Sequence, residues 1–157
     1  MQTGLKVGDA MTKSPIIVRA DSTLVECAKI MASNHVGALV VQANGKPEGV
    51  LTEQDIVRGA IATGKDPAST EAGAIVEKKL LTISPDEDIY DALVVMRDAN
   101  IRHLPVVNED KMIGLLTLKD ILKIQPQLFD LLVEKFEIRE ESDKPIFYRD
   151  RHSEPEE

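Results

Sequence analysis

The sequence repeats itself, and this duplication limits the possible folds more than any other feature. Shifting the chain by 65 residues aligns Val7–Arg58 with Ala72–Lys123 without a gap, and twelve of the 52 aligned pairs are identical. Most of the other pairs exchange chemically similar residues. Because both copies keep the same spacing between their elements, the match predicts one structural unit that is present twice.

Three strands are predicted in each copy. The first is a short apolar run, Ile16–Val18 in copy one and Leu80–Ile83 in copy two. The second and third strands follow as a pair, with copy one given first: Ala38–Gln42 and Glu48–Leu51, then His103–Val107 and Ile113–Leu116. Asn44-Gly45 is a strong signal for a tight hairpin turn, and Glu109-Asp110 occupies the same place in copy two.

Two helices are predicted in each copy, which gives the order strand, helix, strand, strand, helix and an α/β fold. Thr23 and Glu26 have the spacing of a capping box at the first helix of copy one. In copy two we expect Ser84 to cap, Pro85 to take the first helical position and Glu87 to complete the box. Apolar residues at helical intervals follow each start: Leu24, Ala28 and Met31, then Ile89, Leu93 and Met96.

These elements divide the chain into four predicted parts. Residues 7–60 form the first repeat, residues 61–73 a linker, residues 74–124 the second repeat, and residues 125–157 a C-terminal helix with an acidic tail. Pro126 opens the helix, and its apolar side predicts packing against the body, with a dimer arm as the alternative: Leu128, Leu131, Leu132, Lys135 and Phe136. The final residues, Arg151–Glu157, are predicted to be disordered.

The composition excludes several classes of protein. A formal net charge of −8 argues against a general nucleic-acid binder, because phosphate backbones require a basic face. No apolar stretch reaches the length of a membrane span, and the first residues lack the pattern of a secretory signal. The single cysteine, Cys27, has no partner for an internal disulfide and is predicted to be a core residue, which fits a reducing cytoplasm.

A short motif, Gly-x-x-Thr-x-x-Asp, ends the third strand and begins the second helix of both copies. It reads Gly49, Thr52, Asp55 and is repeated at Gly114–Asp120. One interpretation is purely structural, because Thr at the N-cap and Asp three residues later stabilise a helix by about 1 kcal/mol. The other is functional: free amides, a hydroxyl and a carboxylate at such a helix start suit a phosphate and a ribose.

The tandem unit with this doubled motif resembles the CBS domain, and the pair resembles a Bateman module, over about Lys6 to Lys123. The resemblance implies two repeats packed about a pseudo-twofold axis, with two crevices that bind AMP, ADP, ATP or S-adenosylmethionine. The ribose-binding carboxylates correspond to Asp55 and Asp120, and the hydroxyls on the phosphate side correspond to Thr52 and Thr117.

The resemblance also implies which residues line each crevice. The crevice of Thr117 and Asp120 has Arg102 and His103 at the start of its own strand, and the other repeat supplies its adenine wall: Thr12, Ile16, Val36 and Gly37. The matching strand positions in the crevice of Asp55 are Gly37 and Ala38, and its wall is drawn from the other repeat: Glu77, Leu81 and Ile101. Because a polyphosphate needs nearby cations, we expect the nucleotide in the Asp120 crevice. The Asp55 crevice is expected to be empty or to take a less anionic ligand such as S-adenosylmethionine.

Together these features predict a non-catalytic regulatory sensor that needs no cofactor, forms a homodimer and signals to an unknown effector protein. No catalytic triad, P-loop or dinucleotide fingerprint occurs, and the three histidines lack metal-site spacing. A ligand-free interaction scaffold of the same fold is the main alternative, in which the motif survives as helix caps. Nucleic-acid association is a weaker alternative, against which the acidic charge counts.

Overall fold

A computed structural model describes residues 1–76 and 80–130 and confirms a mixed α/β architecture built from two repeats. The chain begins with α1 (Val7–Ala10) and β1 (Thr12–Lys13). The elements of repeat one follow: β2 (Ile17–Arg19), α2 (Leu24–Asn34), β3 (Ala38–Ala43), β4 (Lys46–Thr52) and α3 (Glu53–Asp55), which continues as a π-helix (Ile56–Ile61). The strand order of its sheet is β2-β3-β4, with β2 parallel and β4 antiparallel to β3.

Repeat two has the same pattern with two differences. Its elements are α4 (Ala72–Ile75), α5 (Ile89–Ala99), β5 (His103–Asn108), β6 (Lys111–Thr117), α6 (Leu118–Ile124) and a 3-10 turn (Pro126–Phe129). The predicted first strand, Leu80–Ile83, contributes only one parallel bridge, from Ile83 to Val106. Its second helix, α6, is α-helical, whereas the corresponding segment in repeat one is mostly a wider π-helix.

The leading segment of the chain packs on repeat two rather than on the repeat that follows it. Strand β1 pairs antiparallel with β6, joining Thr12 to Leu115 and Lys13 to Gly114. Val7 of α1 is fully buried in the apolar cluster of repeat two, and its amide donates to the carbonyl of Glu87 (2.9 Å). The sheet of repeat two, in the order β1-β6-β5, therefore takes its third strand from the start of the chain.

The segment between the repeats makes the reciprocal contact with repeat one. Ala72 is fully buried in the apolar cluster of repeat one, and its amide donates to the carbonyl of Ser22 (2.8 Å). The carbonyls of Pro67 and Thr70 accept hydrogen bonds from the first amides of α2 (3.1 and 3.0 Å). Since these amides have no partner within a helix, the linker satisfies donors that would otherwise need water. The start of the chain thus completes the sheet of repeat two, and the segment between the repeats completes the core of repeat one.

Each repeat has its own apolar core between its sheet and its helices. Leu24, Leu39 and Leu51 are fully buried in repeat one, and Ile89, Leu104 and Leu116 are fully buried in repeat two. Cys27 is buried in the first core as predicted, and burial raises the pKa of its thiol. Of the apolar residues at helical intervals in α2, Leu24 and Met31 are buried but Ala28 is exposed, and Cys27, one position earlier, takes its place in the cluster.

The predicted start of the first helix in repeat two was wrong. Helix α5 begins at Ile89 with Asp88 as its N-cap, and Ser84 lies in a turn in which the amide of Glu87 donates to its carbonyl (3.3 Å). Asp88 accepts hydrogen bonds from four groups: the amides of Thr3, Gly4 and Tyr90 and the hydroxyl of Thr3 (2.8 to 2.9 Å). It therefore fixes the leading segment of the chain as well as the helix.

Both hairpin turns are confirmed. The central residues Asn44 and Gly45 have φ of 52° and 74°, and Glu109 and Asp110 have φ of 47° and 62°. This left-handed pair is the backbone that a two-residue hairpin requires. The turn of repeat two therefore places two side chains in a region that favours glycine and asparagine.

The predicted C-terminal helix is only partly within the described residues. Pro126–Phe129 forms a 3-10 turn, and Leu128 is buried in the core of repeat two. The rest of the predicted apolar side, from Leu131 onward, and the predicted tail lie outside the described residues.

Candidate functional site

Each copy of the motif forms a complete capping box where its third strand meets its second helix. In repeat one the amide of Thr52 donates to Asp55 Oδ2 (2.8 Å), and the amide of Asp55 donates to Thr52 Oγ1 (3.2 Å). In repeat two the corresponding bonds join Thr117 and Asp120 (3.0 and 3.1 Å). We call these two arrangements junction one (Thr52–Asp55) and junction two (Thr117–Asp120). The structural interpretation of the motif is therefore correct in both copies.

The caps use only one oxygen of each carboxylate. Asp55 and Asp120 accept through Oδ2, and neither Oδ1 accepts a hydrogen bond from another described residue. Both side chains are half-buried rather than fully exposed. Each junction therefore keeps one carboxylate oxygen that can accept hydrogen bonds from the hydroxyls of a ligand.

The expectation of free amides at these helix starts was largely wrong. The amide of Glu53 donates to the carbonyl of Gly37 (3.0 Å), and the amide of Leu118 donates to the carbonyl of Arg102 (2.9 Å). The capping boxes use two more amides in each junction, at the Thr and at the Asp. Because most of these donors are already bonded within the protein, a phosphate near either junction would depend mainly on side chains.

The hydroxyls of the two junctions differ. Thr117 Oγ1 donates to Asp120 Oδ2 (2.8 Å), which commits its hydrogen inside junction two. Thr52 Oγ1 accepts from the amide of Asp55, and it donates no hydrogen bond to another part of the described chain. Thr52 is thus better prepared than Thr117 to donate to a ligand without breaking a bond of its own cap.

Side-chain charge also differs between the junctions. In the antiparallel sheets, His103 is the Cα partner of Thr117, whereas Ala38 is the partner of Thr52. Burial lowers the pKa of the half-buried His103 below its ordinary value, and the charge of Arg102 lowers the pKa further. The charges of Asp55 and Asp120 act in the opposite direction on this pKa and are the weaker effects.

Of the predicted wall of the Asp120 crevice, Thr12 lies nearest to junction two in the sheet. It is the Cα partner of Leu115, which precedes Thr117 on the same strand. Gly114 makes this pairing possible, because a Cβ on Gly114 would lie 2.9 Å from the carbonyl oxygen of Thr12 and against Met11 Sδ. The absence of a side chain at Gly114 thus lets another strand approach closely.

The other predicted lining residues pack within their own repeats. Ile16 and Val36 pack against the core of repeat one, and Leu81 and Ile101 pack against the core of repeat two. Gly37 lies beside junction one, where a Cβ would lie 3.2 Å from Glu53 Oε2. Glu77 lies outside the described residues. The assignment of these residues to the crevice of the opposite repeat stays a prediction.

The described residues carry neither a metal-binding cluster nor a helix that could span a membrane. Residues 1–76 and 80–130 contain no group of three or more His, Cys, Asp or Glu side chains arranged to hold a metal ion. Within the same ranges, no helix combines the length and the apolar character needed to cross a bilayer.

The model of the CBS domain family matches the chain twice, over residues 7–61 and 72–126. The chain belongs to the CBS domain family. The first match ends with the second helix of repeat one and the second match ends two residues beyond that of repeat two, so each matched region contains one junction. Proteins built from pairs of this domain are regulatory modules.

One curated relative and two solved structures show how this CBS pair compares with others. The chain is 36% identical over 108 residues to the mitochondrial CBS domain-containing protein CBSX3 of Arabidopsis thaliana, covering 66% of this chain and 52% of that protein. The chain thus spans about half the length of CBSX3.

Both structures match most of the chain. A CBS domain protein from Pyrobaculum aerophilum complexed with AMP has a TM-score of 0.72 and 27% identity, covering 81% of this chain and 98% of that chain. Hypoxic Response Protein I with two coordinated zinc ions has a TM-score of 0.69 and 28% identity, covering 76% and 98%.

Sequence reasoning did not find that the charge of Asp55 acts to raise the pKa of His103. The two residues belong to different repeats, and no periodicity or motif joins them. The alignment of the copies did contain one unused signal, since it pairs Thr23 with Asp88 and so identifies the cap that the structure has at α5.

Proposed function

We propose that this CBS pair is a non-catalytic regulatory sensor that binds an adenosine-containing ligand, AMP, ADP, ATP or S-adenosylmethionine, in the crevices between its repeats. The observation that carries the proposal is the pair of carboxylates, Asp55 and Asp120, each with one oxygen in its helix cap and Oδ1 without a described partner. A ribose offers two neighbouring hydroxyls, which are suitable donors to such an oxygen. The AMP complex of the Pyrobaculum relative supports the same class of ligand.

A nucleotide is proposed to bind at junction two. Arg102 and His103 lie at the start of β5, and the carbonyl of Arg102 is bonded to the first amide of α6 (2.9 Å). Arg102 is proposed to supply the positive charge that a phosphate needs in a chain of net charge −8, and the imidazole of His103 is proposed to donate a hydrogen bond beside it. The proposed contacts of this crevice are those of the sequence prediction: Thr117, Asp120, Arg102, His103, Thr12, Ile16, Val36 and Gly37.

Junction one is proposed to be empty or to take a ligand with less negative charge, such as S-adenosylmethionine. Its strand positions next to Thr52 are Gly37 and Ala38, which carry no charge. The proposed contacts are Thr52, Asp55, Leu81 and Ile101.

The proposed mechanism is a shift between two relative orientations of the repeats. A ligand that touches both repeats favours the orientation to which it binds more tightly, and by no more than that difference in affinity. The signal would pass to a partner protein that remains to be identified.

A homodimer is part of the proposal. Four apolar side chains on or after the second helices are about half exposed: Val57 at 56%, Ile61 at 55%, Ile124 at 43% and Phe129 at 53%. Exposed apolar side chains that form a contiguous patch are typical of protein–protein contacts. We place the protein in the cytoplasm, away from membranes and without nucleic-acid partners; the net charge of −8 supports the last point.

A ligand-free scaffold is the second candidate, and one observation favours it. The capping boxes of both junctions account for the Thr and Asp that the two copies share, without any ligand. In that case the exposed apolar side chains, rather than the carboxylates, would carry the function.

A thermal-shift screen distinguishes the two candidates. AMP, ADP, ATP, NAD and S-adenosylmethionine are tested against the full chain, with GMP as a control for recognition of the base. A ligand at about 100 times its dissociation constant stabilises the folded state by about 2.7 kcal/mol, which raises the melting temperature by several degrees. A sensor responds to at least one adenosine compound and not to GMP, whereas a scaffold responds to none.

A further inference from the structure

Glu53, the first residue of α3, lies across Gly37, the residue that precedes β3. Its amide donates to the carbonyl of Gly37 (3.0 Å), and a Cβ on Gly37 would meet three atoms of the Glu53 side chain, Oε2 at 3.2 Å, Cδ at 3.4 Å and Cγ at 3.8 Å. The side chain is exposed, and no cation of the described residues forms an ion pair with it. A carboxylate whose charge is not neutralised therefore lies beside junction one.

The glycine at position 37 makes room for this carboxylate. The glycines with left-handed backbone in the described chain are Gly4, Gly45 and Gly64, so the backbone of Gly37 would accept another residue. A side chain at this position would instead crowd the carboxylate of Glu53. What the absence of a side chain allows here is the close approach of Glu53.

The equivalent positions of repeat two reverse the charge. In the alignment of the copies Arg102 corresponds to Gly37 and Leu118 corresponds to Glu53, and the same backbone bond joins this pair (2.9 Å). Repeat two thus has a cation and an apolar side chain where repeat one has no side chain and an anion. The backbone bond is common to both junctions, and the charge beside it changes sign.

We propose that Glu53 sets the ligand class of junction one by repelling phosphate, so that this crevice takes an adenosine compound whose 5′ substituent is neutral or cationic. This inference rests on the proposed function, in which Asp55 binds the ribose. Glu53 and Asp55 lie in the first turn of the same helix, so a ligand whose ribose reaches Asp55 brings its 5′ substituent into the field of Glu53. A phosphate in that position would meet a second carboxylate.

Three probes separate the classes of ligand by charge alone. AMP carries a phosphate with a charge of about −1.5 to −2, adenosine is neutral, and S-adenosylmethionine carries a positive sulfonium group at the same carbon. Glu53 repels the first, is indifferent to the second and attracts the third. Because Glu53 is exposed, salt screens its effect, and the preference should shrink between about 0.05 and about 0.5 M salt.

Calorimetry of a graded series at position 53 tests the proposal. The series is made in the Asp120→Ala chain, where junction two has lost its carboxylate, so that binding at junction one is measured. AMP affinity should rise about 3- to 10-fold in Glu53→Gln and again in Glu53→Lys, whereas adenosine should change by less than about twofold. The affinity for S-adenosylmethionine should fall in the same order. Equal AMP affinities across the series would overturn the inference.

Glu109→Gln is the matched control for net charge. Glu109 is an exposed acid in the hairpin turn between β5 and β6, at the opposite end of these strands from junction two. Its substitution changes the net charge of the chain by the same amount as Glu53→Gln. AMP affinity in the Asp120→Ala chain should stay unchanged, and a gain equal to that of Glu53→Gln would contradict a local role of Glu53.

The reverse test places the same pair of side chains in junction two. Leu118→Glu and Leu118→Gln both lose the apolar contacts of Leu118 with the core of repeat two, and they differ only in charge. In the otherwise unchanged chain, AMP should bind about 3- to 10-fold more weakly to Leu118→Glu than to Leu118→Gln. Equal affinities would show that this position does not act on the charge of the ligand.

Failure of the inference differs from failure of the proposed function. AMP binding by the parent chain with no effect of charge at positions 53 and 118 removes the role of Glu53 and leaves the sensor proposal standing. Absence of binding by every adenosine compound, in the parent chain and in all variants, removes both.

Discussion

Junction one closes its cap opposite Ala38 and continues as a π-helix, whereas junction two closes the same cap opposite His103 and continues as an α-helix. The residues that are identical in the two copies, Thr and Asp, make the same bonds in both places. Those residues are explained by helix capping alone. The difference between the junctions therefore lies in the residues that the copies do not share, and the choice of ligand should depend on those.

The hydroxyl groups of Thr52 and Thr117 are a second difference between the junctions. Thr117 donates to Asp120 within its own cap, while Thr52 makes no corresponding donation to Asp55. Junction two thus combines a committed hydroxyl with a nearby imidazole and guanidinium, and junction one combines an available hydroxyl with uncharged neighbours. The first combination suits an anionic ligand and the second a less charged one.

The largest effect on stability is expected where the leading strand meets repeat two. In Gly114→Ala, the new Cβ would lie 2.9 Å from the carbonyl oxygen of Thr12 and against Met11 Sδ, so β1 must move away from β6. Overpacking of this kind should lower the free energy of unfolding by about 2 to 3 kcal/mol, measured by chemical denaturation. Adding Met11→Ala should recover only part of the loss, because the clash with the backbone remains. Full recovery would show that β1 is not held as described.

Asp88 and Thr23 provide the next comparison, since they cap equivalent helices of the two repeats. Asp88→Ala should cost about 2 kcal/mol, because it removes the cap of α5 and the bonds to Thr3 and Gly4. Thr23→Ala removes only the capping box of α2 and should cost about 1 kcal/mol. Thermal denaturation of both variants measures the difference, and equal losses would mean that the leading segment is not fixed by Asp88.

The carboxylate of Asp88 predicts that the stability of the fold depends on pH. Burial acts to raise the pKa of Asp88, but its hydrogen bonds with Tyr90, Thr3 and Gly4 outweigh that effect and hold the pKa below the ordinary value. The stabilisation by Asp88 is therefore complete above the ordinary pKa of an aspartate, about 4, and is lost as the pH falls through the lowered value. The stability difference between the parent chain and Asp88→Ala should accordingly shrink in acid below about pH 4. A constant difference down to pH 2 would contradict this.

The smallest effect on stability is expected at the hairpin turns. There the substitution should stabilise the chain, whereas the preceding ones destabilise it. Repeat two uses Glu109 and Asp110 in left-handed backbone, where repeat one uses Asn44 and Gly45. Transferring the turn of repeat one, Glu109→Asn with Asp110→Gly, should stabilise the chain by about 1 kcal/mol. Urea denaturation measures the gain, and a loss of stability would show that the two side chains make contacts that outweigh the strain of their backbone.

The architecture was predictable because it is encoded locally and twice. The alignment of the copies gave the element order, and the turn residues and the capping boxes at Thr23, Thr52 and Thr117 gave the positions of turns and helix starts. The error at Ser84 arose because a proline after a serine is a good helix start in isolation. The four bonds to Asp88 depend in part on Thr3 and Gly4, which are distant in sequence.

The packing of α1 and β1 on repeat two, and of the linker on repeat one, could not be predicted for a similar reason. Helix α1 has only four residues, which is too short for a periodic signal, and the core that buries Val7 lies in the other repeat. The effect of the charge of Asp55 on the pKa of His103 likewise involves both repeats, which neither copy specifies alone. Sequence patterns gave the candidate carboxylates and hydroxyls, but not which of their hydrogen bonds the protein already makes.

The most direct test of the account is a calorimetric titration with AMP of the parent chain, Asp120→Ala and Asp55→Ala. Both variants lose the same cap, so the difference between them reports on the ligand rather than on the helix. Loss of a hydrogen bond to a charged acceptor costs about 1.5 to 3 kcal/mol, so Asp120→Ala should weaken AMP about 10- to 100-fold, while Asp55→Ala changes it by less than about threefold. Equal losses, a larger loss in Asp55→Ala, or no binding of AMP to the parent chain would contradict the assignment of the nucleotide to junction two.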